Sequence, residues 1–384
     1  MIKRKLITMI ILLMMGLLMS CITNDVENED VTQGFTYNEI QEEVEEEEVV
    51  EETEIPEYII IQGGEFSTRL TTLDLSLKNL RNEDIEPLQY MVYLRELNLN
   101  YNELSDITPL TDLIDLSVLH LNDNVLSDIT PLANLVNLSG LDLGFNQIHD
   151  ITPLANLTGL THLHLSANEI VDIAPLAGLV NLTGLNLRGN RISDVTSLSS
   201  LTGLENLRLQ ENKIYDIEPL KDLTGLRELI LGENEIVDIT PLSGLTELES
   251  LMINGSKIYD LSPLSELTEL TWLNVSRSEI YDLSPLAELT NLRSLYLGRN
   301  QIADISSLSG MTELIVLNLI ENEIIDLIPL ANLTNIEHLG LSNNQITDVS
   351  PLAGLVHLRH LSLFGNEIED LSPLDHLEDW RIDL

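Results

Sequence analysis

Two groups of side chains in this sequence are of types that do chemistry. His120, Asp142 and His164 recur at intervals of 22 residues, with His162 two places before the last. Imidazole and carboxylate together offer ligands to a transition metal, or a patch whose charge changes near neutral pH. No thiolate joins them, because Cys21 is the only cysteine. The chain also lacks an H-E-x-x-H string, a phosphate loop and a Ser/His/Asp signature. These residues are expected to be plain exposed surface or a partner contact. A metal-dependent enzyme is the lesser alternative, and no cofactor is expected. The second group is Met252, Trp272, Tyr296, Arg277 and Arg299. Trp, Tyr and Arg are the residues that concentrate binding energy at protein interfaces, so ligand binding is the expectation for these five.

The element that must position both groups is one unit written thirteen times. Aligned at a step of 22 from Leu94, the chain places leucine at 97, 119, 141 and on to 361 without exception. Asparagine follows at Asn102, Asn124, Asn146, Asn168, Asn190, Asn212, Asn234, Asn300, Asn322, Asn344 and Asn366, and serine replaces it at Ser256 and Ser278. Such self-similarity is the mark of a solenoid. Leu97-x-Leu99 alternates like a short strand, and stacking at about 4.8 Å per strand makes thirteen coils an arc of roughly 60 Å. A buried amide donates two hydrogen bonds and accepts two, so the asparagines are expected to form a structural ladder. The two serines predict a local softening or change of curvature over residues 250–280.

Aspartate fills one column thirteen times, from Asp106 to Asp370, and Pro follows three places later in eleven of the thirteen coils. A short polar side chain before Ile-Thr/Ser-Pro-Leu makes a turn. Thr or Ser is then expected as helix cap, with Pro in the first helical position. Cation binding by this column is the alternative. The Asn-Leu-Thr strings are repeat wording rather than glycosylation signals.

The string L-x-x-L-x-L-x-x-N-x-I resembles the leucine-rich repeat family. Its continuation D-I-x-P-L-x-x-L-T is similar to the 22-residue class of bacterial internalins and of a eukaryotic protein phosphatase 1 regulator. The resemblance covers about residues 70–384. It implies an α/β solenoid: a curved horseshoe with a parallel concave β-sheet and short 3-10 or turn segments on the convex side. It also implies that ligands meet the concave face, where the residues alternating with the inward leucines lie.

The ends differ from the repeats. Lys3, Arg4 and Lys5 precede an apolar run from Leu6 to Met19, which is short for a membrane span and reads as a secretory signal. Leu18-Met19-Ser20-Cys21 resembles a bacterial lipobox, which implies lipidation of Cys21. Asn24 to Glu57 holds 15 acidic residues and no lysine or arginine, the composition of a disordered tether. The expected layout is a signal peptide at 1–20, lipidated cysteine and tether at 21–57, and a cap with a divergent first repeat at 58–93. Thirteen repeats at 94–376 and a half-repeat at 377–384 complete it. No sorting motif is seen after the half-repeat, so the expected anchor is the N-terminal lipid.

The formal charge is −44, and residues 58–384 alone carry 48 acidic against 16 basic residues. Such a surface repels polyphosphate and excludes a nucleic-acid partner. The sequence therefore predicts a monomeric, lipid-anchored binding protein at the cell surface, with a protein ligand as first expectation and a glycan as alternative.

Overall fold

The computed structural model describes residues 55–375, 377, 382 and 383. The expected signal segment, Cys21, the tether up to residue 54, and Trp380 and Leu384 lie outside the described residues. Those described belong to one compact unit, Glu54–Leu384.

Each coil begins with a three-residue strand whose central leucine points inward. The first of the regular series, β4 (Glu96–Asn98), buries Leu97 completely, and strands recur every 22 residues to β16 (His360–Ser362). With β3 (Thr72–Asp74) before them and β17 (Ile382–Asp383) after, they form a 15-stranded sheet in sequence order. Neighbouring strands are parallel and in register, so Leu97 faces Leu119 and Leu119 faces Leu141. The parallel direction follows from each coil's return through a 3-10 turn such as Thr108–Leu110. The result is a curved α/β solenoid. A fully buried leucine is worth about 2 kcal/mol relative to an exposed one, but only when the next coil covers it, so stability accrues between neighbours.

At the N-terminal edge, β1 (Tyr58–Ile61) and β2 (Gly64–Ser67) form an antiparallel hairpin. Ile59 and Ile61 alternate inward and extend the leucine core. In the divergent first coil, where Lys78 replaces asparagine, the backbone N–H groups of Lys78 and Leu80 both donate to Oδ1 of Asn102 in the next coil. The inserted residues there form a one-turn helix, α1 (Asn82–Ile85).

The turn after each strand corrects one expectation. Thr108 lies inside the 3-10 turn, the residue before the turn is Ile107, and no Thr or Ser caps it. The capping group is the aspartate. In all thirteen coils its Oδ1 accepts the backbone N–H two residues on, at 2.8–2.9 Å. A carboxylate two residues upstream reaches that N–H by an Asx turn, which leaves a hydroxyl cap nothing to bond.

Candidate functional site

The concave sheet is held by a ladder directly behind it. All eleven asparagines make the same bonds: in Asn168, Oδ1 accepts the N–H of Ile148 at 2.9 Å, while Nδ2 donates to the carbonyls of Leu143 and Leu165 at 3.0 and 3.2 Å. The residue before each ladder position, asparagine or serine, is left-handed, with φ between 52° and 73° from Tyr101 to Gly365, although only three of the thirteen are glycine. A non-glycine residue pays roughly 1–2 kcal/mol for that conformation. The strain is tolerated because this turn aims the ladder side chain inward and directs its neighbour, Arg277 or Arg299 in two coils, to the outer edge of the sheet.

The structure brings the first group partly together. On β6 (Gly140–Asp142) and β7 (His162–His164), Asp142 and His164 face each other. His164 Nδ1 lies 3.0 Å from Asp142 Oδ1, and His164 Nε2 lies 2.7 Å from Ser166 Oγ. Burial pushes the Asp142 carboxyl up, but the hydrogen bonds from His164 and from the Gly144 N–H outweigh it, and its pKa ends below the ordinary value. An Asp–His–Ser chain of this kind invites comparison with a catalytic triad. Ser166, however, keeps only 3% of its surface exposed, which leaves a substrate no approach to Oγ. The chain's effect is to fix the imidazole.

His162 turns away from this pair. Its Nδ1 meets Thr161 Oγ1 at 3.1 Å, and its ring lies over Gly184, where a Cβ would meet Cδ2 at 2.9 Å. Together His120, Asp142, His162, His164, Gly140, Gly184 and Arg208 line an open recess of about 420 Å³ in the concave face. Among the described residues, no three His, Cys, Asp or Glu side chains are arranged to hold a metal ion.

The second group divides in two. Trp272 on β12 (Trp272–Asn274) and Tyr296 on β13 (Ser294–Tyr296) pack at a centroid distance of 5.6 Å with their planes tilted by 49°. Both are half-buried, as is Met252, which lies in register with Asn274 and then Tyr296 across adjacent strands. The arginines are not conspicuous free cations. Arg277 Nη1 binds Glu233 at 2.5 Å, and Arg299 Nε binds Glu321 at 3.1 Å. Both bridges run along the edge, from coil to coil. The sequence column shows the reason: the glutamates stand in the arginines' own column, and Gly255 between Glu233 and Arg277 leaves room for the carboxylate, which would lie 2.7 Å from a Cβ there.

The same face also stacks two histidines that share the column of Trp272. His338 and His360, on β15 (His338–Gly340) and β16, stack with centroids 4.9 Å apart and planes within 11°. With Tyr296, Val316, Asn318 and Asp383 they line a second concave recess of about 490 Å³. Their repetition at a 22-residue step was the available signal.

The ladder itself fails where serine replaces asparagine. Ser256 Oγ and Ser278 Oγ are buried with no hydrogen-bond partner, as is Asn254 Oδ1 beside them. Serine is one bond too short to span the coils. The Glu233–Arg277 bridge crosses this same interval on the outer edge.

Residues 136–178, 180–223, 268–310, 290–332, 312–353 and 334–376 match the family described as Leucine Rich repeats (2 copies), and residues 90–107 match a single Leucine Rich repeat. Together these take in more than half of the chain. The structure is similar to an internalin (InlF) from Listeria monocytogenes, with 38% identity, a TM-score of 0.75, and coverage of 78% of this chain and 89% of that one. The chain belongs to the leucine-rich repeat family, in its internalin-like class. This leucine-rich repeat protein also shares its fold with an LRR protein of Leptospira interrogans, at 24% identity and TM-score 0.73, covering 82% of each chain. The plant peptide hormone receptor RGFR1, solved in complex with RGF2, has the same fold at 22% identity and TM-score 0.69, with 82% of this chain and 55% of that one covered. Comparison with curated proteins gives no match. No helix among the described residues is long and apolar enough to cross a membrane.

Proposed function

We propose that this leucine-rich repeat protein recognises a protein ligand across its concave sheet, as a monomer, outside the cytoplasm, and held to a membrane by lipid on Cys21. The observation that carries the ligand reading is the Trp272–Tyr296 ring pair in the middle of the sheet. Half-buried aromatic rings on stacked, hydrogen-bonded strands are already ordered, so little conformational entropy is lost when a partner covers them. The same fold serves RGFR1, the hormone receptor solved with RGF2; that likeness supports binding in general and no particular ligand. For the anchor, the support is the basic start, the apolar run and the lipobox-like string ending at the chain's single cysteine.

The test is capture by the immobilised full chain from surface extracts, against a Trp272→Ala/Tyr296→Ala variant. A protein retained by the wild type and lost by the variant is the expected result. Equal retention by both would move the site to the recess around His162. A glycan held by the wild type and lost by the variant would change the ligand class, because the same rings stack on sugars. Acyl labelling that survives Cys21→Ser would overturn the anchor.

A further inference from the structure

Outside the concave sheet, every coil exposes a residue immediately before the capping aspartate. Early in the array this column is mostly polar, with Ser105, Ser127, His149 and Ser193 and the single apolar Val171. From Tyr215 it turns apolar, with large side chains in four consecutive coils before the small Ala303 and then Ile325. Tyr215, Val237, Tyr259 and Tyr281 leave 67%, 47%, 54% and 61% of their surface exposed. The coils are fixed to one another here by a second row of backbone bonds: Glu235, Lys257 and Glu279 donate their N–H groups to the carbonyls of Ile214, Ile236 and Ile258 at 2.8, 3.2 and 2.9 Å. Because the isoleucines between point inward, residues on either side of them point outward together. The four apolar side chains therefore form one continuous stripe about 15 Å long, the reach of four or five extended residues. A contiguous apolar stripe rimmed by polar groups marks an interaction site.

The rim says which partner fits. Asp216, Asp238, Asp260 and Asp282 stand beside the stripe, and Glu235 and Glu279 lie in the column two residues before it, against Lys213 and Lys257 alone. A second copy of this chain would bring its own excess of carboxylates against these. The chain's acidic stretch from Asn24 to Glu57, with no lysine or arginine, fits no better. We infer that this flank is a second docking surface, separate from the concave sheet, for a basic protein segment that sets apolar side chains between lysines or arginines. The carboxylates steer and orient such a segment, and the tyrosines and valine discriminate it from one that is merely basic.

The test uses the full chain and a Tyr215→Ser/Tyr259→Ser/Tyr281→Ser variant. Serine occupies this column in three other coils, so the variant is expected to unfold at the same temperature as the wild type, and circular dichroism checks this. The probes are two fluorescent ten-residue peptides of equal charge, one alternating lysine with leucine and the other lysine with serine. The leucine peptide should bind the wild type about tenfold more tightly than the variant, and it should keep that affinity for Trp272→Ala/Tyr296→Ala. The serine peptide should bind all three proteins alike and weakly. Equal affinity of the leucine peptide for wild type and serine variant would reduce the effect to charge and overturn the proposal. Self-association or glycan binding that is lost in the serine variant would also overturn it, assigning the stripe to a second copy or to a sugar.

Discussion

The coils from Asn102 to Asn234 and the two coils of Ser256 and Ser278 have the same strands, the same buried leucine column and the same capped turns, yet they are held together differently. In the first region each amide joins three backbone groups of adjacent coils. In the second the hydroxyls are buried and unpartnered, while Ile253 and Val275 remain fully buried and an ion pair spans the outer edge. The contrast teaches that continuous apolar burial keeps the coil geometry even where the ladder bonds are missing. Any softening at the two serines would have to arise where the N–H groups of Ile236 and Ile258 lack the side-chain acceptor that Asn234 gives Ile214 and Asn300 gives Ile280.

The sharpest way to break this comparison is to remove an amide from the intact region. Asn168→Ala leaves one N–H without its acceptor and two carbonyls without a donor, and should cost about 3 kcal/mol. Ser256→Ala, which removes an unpartnered hydroxyl, should stay within about 0.5 kcal/mol. Urea unfolding followed by circular dichroism measures both; similar losses would end the distinction. Next in size is repair. Ser256→Asn/Ser278→Asn should raise stability by about 1–2 kcal/mol, and native-state hydrogen exchange should slow at Ile236 and Ile258 until it matches Ile214 and Ile280. Exchange already equal in the wild type would show that no softening exists.

The outer bridge should count for less. Arg277 and Glu233 are 53% and 39% exposed, so a double-mutant cycle on Arg277→Ala and Glu233→Ala should give a coupling below about 1 kcal/mol that fades as salt is added. The smallest effect concerns acid. The carboxyl groups of Asp128, Asp150, Asp194 and Asp238 are held below the ordinary 3.8 by hydrogen bonds from Thr130, Thr152, Thr196 and Thr240. A group whose pKa is lowered by folding stabilises above its unfolded value and loses that contribution as pH falls through the folded one. Thermal stability should therefore keep this contribution from neutral pH to about 4 and lose it below, through these four carboxylates of the first region. Asp150→Asn should show a slightly smaller acid loss; an unchanged profile would deny the turns this role.

How much of the site was legible depends on how far each side chain reaches. The leucine, asparagine and aspartate columns were readable because each repeats a single role in every coil, so period and residue type alone place them. The Asp142–His164 contact was half-readable, since a step of 22 puts both on adjacent strands; that His162 would turn to Gly184 instead was not. The ion pairs of Arg277 and Arg299 were not legible because their partners lie two coils and one coil away, at sequence separations of 44 and 22. The tyrosine flank was not legible because its column varies from coil to coil, mostly polar before Tyr215 and large and apolar from there to Tyr281, and a consensus hides such a change.

The sequence by itself determined the repeat, the inward leucines, the strand register and the acidity, because a 22-residue period leaves only one way to stack thirteen equivalent coils. Only the tertiary structure decided that aspartate rather than threonine caps the turn, that the residue before each asparagine is left-handed, and that the arginines answer glutamates along the edge. These depend on angles and distances between coils. A one-dimensional pattern carries the order of side chains, and their reach is settled only when neighbouring coils close on them.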